Sequence, residues 1–210
     1  MDMFRGNTIY LRLMEPQDYE TTYLWRNDYN IQKMTCGPLR FISKEMEKNW
    51  AQNRSLDNTH DIYLAVCSIK DNKMIGYTSI NDINYINRSC DIGGIVIGDK
   101  SSRDGNEITE VYLLLLSYVF DQLNMNRTYG HFLEEHTMTA INVKTYFYEI
   151  EGCERQAVYK DGKYHNVILV GLLREDYYRH KEAGDYDFEV TIKRLLRNVR
   201  EVKKKRGNEL

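Results

Sequence analysis

Apolar and polar positions along this chain change period several times, and each change marks an element. Thr8-Ile9-Tyr10-Leu11-Arg12-Leu13 alternates, as a strand with one buried face does. Pro16 then stands where a helix opens, and residues 18–27 place Tyr19, Tyr23, Leu24 and Trp25 at helical spacing. Ser43 suits the cap of a second helix, over residues 43–54. Three strands follow at 62–69, 74–81 and 90–98, the first two joined by an Asp71-Asn72-Lys73 turn. Residues 106–123 read as a long helix whose Val111 to Leu116 run is apolar all round, so it must be buried on several sides. Residues 128–133 form a strand, and 136–150 a helix stopped at Gly152. Residues 157–159 and 164–173 close the pattern as a hairpin turned by Asp161-Gly162. The order β-α-α-β-β-β-α-β-α-β-β predicts an α/β fold with a mixed sheet, the long helix crossing between neighbouring strands.

At 210 residues, with 42% apolar and 29% charged residues, the chain fits one domain and an appendage. A net charge of −2 gives no global pull toward nucleic acid or a membrane surface. No apolar run reaches the roughly 18 residues that span a bilayer, and the N-terminus lacks a secretory core, so the expected compartment is cytoplasmic. Cys36, Cys67, Cys90 and Cys153 are widely spaced without a CxxC pair, the pattern of reduced thiols and not of a metal site or disulfides.

Composition changes at Arg174, which divides the chain into residues 1–173 and a helical, basic extension at 174–210. Arg194, Arg197, Arg200 and the Lys203-Lys204-Lys205-Arg206 run share a helix with Leu195, Leu196 and Val199. Those apolar positions predict a helix docked on the domain, or on a second copy to make a homodimer, with its Lys/Arg face wet. Truncation after Gly184 should then leave the sheet folded. Flanking Glu189 and Glu201, and the lack of interleaved aromatics, argue against nucleic acid.

The candidate chemistry begins where a β-branched run ends at Gly98, passes through a polar loop containing Arg103, and opens the long helix. Such a loop aims unpaired N–H groups and the positive end of the helix dipole at one spot, which suits a pyrophosphate.

Four stretches then resemble one family. Gly6-Asn7-Thr8-Ile9-Tyr10-Leu11-Arg12 is similar to its opening strand, and Trp25-Arg26-Asn27 to its first helix. Residues 92–103 look like its fourth strand and exit, and Tyr148-Glu149-Ile150-Glu151-Gly152-Cys153 resembles its closing Tyr-Glu-x-x-Gly-Phe. In this order they resemble the GNAT superfamily of acyl-CoA-dependent N-acyltransferases, in the branch acting on ribosomal-protein N-termini, polyamines and amino sugars. The resemblance implies a GNAT-like, mostly antiparallel sheet flanked by helices, with a splay between the fourth and fifth strands. It implies acetyl-CoA as co-substrate, direct attack by a primary amine, and an acceptor that is an amine-bearing small molecule or a protein N-terminus. Pantetheine would lie along Gly94, Ile95, Val96 and Ile97 like an added strand. The pyrophosphate would meet Ser102, Arg103, Asp104, Gly105, Asn106, Glu107 and Ile108. Tyr148 is the implied acid for the thiolate, with Tyr146 next in line; Asp91 would take the amine proton, and Trp25 and Arg26 would wall the acceptor. His136, at a predicted helix start, reads first as a cap. One departure stands out: the loop's glycine positions hold Asn106 and Ile108, and Glu107 adds negative charge. A β-branched residue where the main chain should meet a ligand is obstructive, so the alternative is a binding module that kept the fold without strong catalysis.

Overall fold

The computed structural model describes residues 4–102 and 106–207, apart from the side chains of Ser102 and residues 205–207. Strands β1 (Ile9–Leu13), β2 (Ile62–Ser68), β3 (Met74–Asn84), β4 (Ser89–Ile92) and β5 (Val96–Ile97) precede helix α4 (Asn106–Ser117). Between β1 and β2 lie α1 (Tyr19–Arg26), α2 (Tyr29–Gln32) and α3 (Lys44–Arg54). After α4 come β6 (Arg127–Leu133), α5 (Thr137–Thr145), the hairpin β7 (Glu149–Lys160) and β8 (Lys163–Leu173), then α6 (Arg174–Glu182) and α7 (Phe188–Gly207). The sheet runs β1-β2-β3-β4-β6-β8-β7, with β5 attached to β3 alone. Every pairing is antiparallel except β4 with β6.

Alternation divides the core between two faces. Ile9, Leu11, Leu64, Val66 and Ile75 pack with Val111, Leu115, Val119 and Phe120 of the long helix. Cys67, Met74 and Ala65 point the other way, toward Trp25 and Trp50 of α1 and α3. The all-apolar helix is covered as its pattern requires, and it relaxes into a π-helical turn at Tyr118–Gln122 before Met125. Buried carboxylates fasten both layers. Glu110 accepts from the backbone N–H groups of Thr8 and Ile9 and from the Thr8 hydroxyl, tying β1 to α4. A Cβ on Gly6 would come within 2.2 Å of that carboxylate, so the approach needs glycine. Glu47 on α3 accepts from Thr22 and Arg26 of α1.

Three sequence expectations need correction. The third strand of the 62–98 group is broken: Gly93 still donates to Ser79 O at 2.8 Å in the register of Ile80↔Ile92, but pairing resumes one residue out of step at Tyr77↔Val96. The helix expected over 136–150 ends at Thr145, and Gly152 lies inside β7, paired with Leu169. The hairpin turn at Asp161 (φ 52°) and Gly162 (φ 79°) and its second strand, β8, are as expected, yet β7 is far longer than the 157–159 that the local pattern showed. β7 is exposed along most of its length, so no burial rhythm marks it in the sequence.

The basic tail docks on the domain as expected, with Arg197, Arg200, Lys203 and Lys204 exposed, and departs from its sequence reading at Arg194. α7 packs against α5 and α4, and Arg194 is only 8% exposed, not part of a wet cationic face. Among the described residues no helix is long and apolar enough to cross a membrane, and all four cysteines are unpaired.

Candidate active site

Three residue pairs hold β4 to β6: Ser89 with Arg127, Cys90 with Thr128, and Asp91 with Tyr129. Beyond them the strands part. β5 returns to the sheet only through Gly76↔Ile97 and Tyr77↔Val96. A Cβ on Gly76 would sit 2.2 Å from Val96 O, so glycine permits this close pairing. The other edge of β5 pairs with no strand among the described residues, and it faces a cavity of about 680 Å³. A Cβ on Gly94 would meet nothing within 4 Å, so the main chain itself is open to that space.

Successive residues of β4 point to opposite faces of the sheet, and the two candidate proton-transfer groups follow that alternation. Tyr148 lies beside Cys90 and Thr128 on the α4 face, and lines the cavity. Asp91, the next residue along β4, lines it from the other face, near Cys36 of the segment after α2. The environments set different protonation states. Burial pushes the Asp91 carboxyl up to about 6, partly opposed by His131. Burial also raises the Tyr148 phenol well above its ordinary value, with Tyr112 adding to the rise and Thr128 offsetting part of it. At neutral pH the first group is ionised and the second carries its proton.

Tyr148 stands where it does because α5 ends in a Schellman-type cap. Its N–H donates to Val143 O at 3.0 Å, and Phe147 before it takes a left-handed φ of 63°. Tyr146 is fully buried, stacked on Tyr112 at 4.2 Å, and does not line the cavity. Access therefore separates the two tyrosines.

Gly94, Ile95, Val96 and Ile97 line the cavity, as do Glu107 and Ile108 of the first turn of α4. Asn106 begins the helix but is not part of that lining, and Arg103, Asp104 and Gly105 lie outside the described residues. Trp25 and Arg26 are not in the lining either. The Trp25 ring packs on Gly98, where a Cβ would come within 2.1 Å of it, and stacks on Tyr77. Arg26 pairs with buried Glu47 at 3.0 Å and lies over the Trp50 ring. Both side chains are thus engaged in joining α1 to its neighbours. His136 bonds Thr139 Oγ1 through Nδ1 at 2.7 Å and reaches the cavity rim.

The sequence reading missed Tyr129, His131, Asn142 and the 31–36 wall of Ile31, Met34, Thr35 and Cys36. Tyr129 and His131 share a strand face by period two, which is a readable signal. The 31–36 segment has no periodicity to reveal it. It is fixed from a distance by buried Lys160, at the tip of the β7–β8 hairpin, which donates to the carbonyls of Gln32 and Thr35.

The cavity thus brings together a splayed parallel pair, a strand edge open to the cleft and a helix start beside it. The sequence model of the acetyltransferase (GNAT) domain matches residues 8–140. The chain belongs to this family. Its members transfer acetyl groups from acetyl-CoA, and this chain is an acetyl-CoA-dependent N-acetyltransferase of that class. Among solved structures, the spermidine N-acetyltransferase from Vibrio cholerae in complex with CoA and spermine superposes with a TM-score of 0.73 at 21% identity, over 81% of this chain and 98% of that one. A GCN5-related N-acetyltransferase from Brucella melitensis gives 0.70 at 18% identity, over 86% and 82%. A dodecameric form of the Vibrio cholerae enzyme gives 0.67 at 21% identity, over 80% and 95%. No curated protein sequence matches the chain significantly.

Proposed function

We propose that this protein acetylates a primary amine by direct transfer, with Asp91 receiving the amine proton and Tyr148 supplying one to the departing sulfur. The observation that carries this reading is their placement, an ionised carboxylate and a protonated phenol reaching one cleft from opposite faces of the sheet. Acetyl-CoA supplies the acetyl group as a thioester. The open edge at 94–97 suits a pantetheine arm by strand-like addition, and its N–H groups suit the carbonyl oxygen as charge builds there. Asp91, ionised above about pH 6, keeps the attacking nitrogen neutral by taking its proton. Tyr148 stays protonated at any working pH, and the burial that raises its pKa also raises the basicity of a thiolate beside it.

The acceptor is an amine-bearing small molecule or a protein N-terminus. A polyamine is favoured among these by the spermine-bound relative and by the carboxylate of Asp91 in the cavity. Self-association belongs to the same reading, since one relative is dodecameric, and light scattering reads it directly.

Glu107 and Ile108 favour a second reading, a module with weakened coenzyme binding, because they line the end where phosphates would enter. Isothermal titration with acetyl-CoA decides between them. The enzyme reading expects micromolar binding, and acetylation of spermidine or of a short peptide with a free N-terminus. Absence of coenzyme binding would leave the second reading. Ile108→Gly should tighten binding if that side chain obstructs the pyrophosphate.

A further inference from the structure

Phe147 occupies a position that normally calls for glycine. It is the residue after the α5 cap, at φ 63°, and the next residue is Tyr148. An aromatic residue holds a left-handed conformation only where its surroundings over-determine it. Here the surroundings come from the C-terminal helices. On one side His180 of α6 stacks on the Phe147 ring at 3.5 Å with an interplanar angle of 7°. The Arg194 guanidinium of α7 lies 4.3 Å from the same ring centre, and Tyr186 meets it edge-on at 5.9 Å.

The same helices grip the main chain just upstream. Arg194 Nε donates to Thr145 O at 2.9 Å, and Asn198 donates to the Thr145 hydroxyl at 3.0 Å. The Tyr186 hydroxyl donates to Tyr146 O at 3.3 Å. Asp185 ties the pieces together, accepting from Arg194 Nη1 at 3.2 Å and lying 2.7 Å from His180 Nδ1. Thr145, Tyr146 and Phe147 are therefore each held by the tail, and Tyr148 follows with no residue between.

We propose that α6 and α7 act as a clamp that sets the angle at which Tyr148 enters the cleft, with Arg194 as its positioning residue. This assigns the C-terminal extension a part in the reaction, although none of its residues lines the cavity. It rests on Tyr148 being the acid, and a double-substitution cycle separates the two ideas. Arg194→Met keeps an apolar stem over Phe147 but loses the charge and the bonds to Thr145 and Asp185. It should lower kcat for spermidine acetylation about tenfold, the scale of a small misplacement of a reacting group, while the acetyl-CoA dissociation constant stays within about twofold, because the coenzyme wall is untouched. Arg194→Lys should fall between. In a Tyr148→Phe background, Arg194→Met should add almost nothing, since there is no hydroxyl left to misplace.

If Arg194→Met cuts kcat equally with and without the Tyr148 hydroxyl, the residue acts on general stability and the clamp is wrong. If Tyr148→Phe alone keeps wild-type turnover, the acid assignment falls, and the clamp with it. Should Arg194→Met fail to fold, Phe147→Gly serves instead. It relieves the strained backbone and removes only the gripped ring, so reduced kcat with an unchanged or raised melting temperature supports the clamp. Unchanged kcat overturns it.

Discussion

Asp91 is the residue at which burial and chemistry are in open conflict. Its folded carboxyl titrates near 6, above the ordinary 3.8, so the ionised form is less favourable in the native protein than in the unfolded chain. Stability is therefore lost as pH rises through the span from about 4 to 6, and the cost is complete above it. Asp91→Asn should remove that cost. The expected result is a higher melting temperature at pH 8, little change at pH 4, and a large fall in kcat/KM. The wild-type kcat/KM should rise with pH through about 6, a limb the variant lacks; a variant that retains the limb would place the titrating base elsewhere. Tyr148→Phe should lower kcat roughly 10²-fold, the contribution of one general acid, with coenzyme affinity nearly intact. Tyr146→Phe should not do so, because that ring is sealed from the cavity. Equal losses in both would point to packing and not to proton transfer.

Among the elements, the β7–β8 hairpin does more than close the sheet. Its tip holds the 31–36 wall of the cavity through Lys160, while the Tyr29 hydroxyl donates to Asp161 of the same tip at 3.0 Å. The Lys160 ammonium has two carbonyl partners and is buried, so replacing it leaves those carbonyls short of a donor. Lys160→Met should free the 31–36 wall and raise KM for the amine several-fold, leaving acetyl-CoA binding unchanged in calorimetry. Weakening of both ligands alike would mean that the hairpin supports the whole cleft. This element was legible in the sequence at its turn and along β8, but hardly along β7. Asp161-Gly162 carries the required dihedrals locally, whereas β7 is exposed on both faces and shows no alternation to read.

At the scale of the molecule, the C-terminal helices belong to the same packing unit as the site. Tyr177, Thr191, Arg194 and Asn198 are buried, and Phe120 stacks on Tyr177 at 4.6 Å. Truncation after Gly184 would uncover Tyr146 and strip Thr145 of both its tail partners. The expected outcome is a markedly lower melting temperature and a less cooperative transition by circular dichroism, with acetyl transfer impaired. A truncated protein that melts as the full chain does would show the tail to be a separable appendage.

What the sequence determined by itself is what depends on near neighbours along the chain. The alternation of residues 8–13 and 62–68, the apolar Val111–Leu116 helix, the Ser43 cap with its 3.1 Å bond from Met46 N, and the Asp161-Gly162 turn are of this kind. The order of these elements, with the Trp25-Arg26-Asn27 and Tyr148-Glu149 stretches, was enough to resemble the family, and the resemblance is what proposed Tyr148, Asp91 and 94–97. Tertiary structure decided the rest. The strand over 90–98 is interrupted because its register on β3 slips by one residue between Ile92 and Val96, and Trp25 is engaged because Gly98 receives its ring. Arg194 is buried because Asp185 and Thr145 O meet it, although its neighbours in sequence read as a solvated cationic run. Each outcome turns on a partner many residues away, and desolvation with a partner costs far less than desolvation alone. A local pattern carries the period of an element, but it cannot carry the identity of the group that will face it.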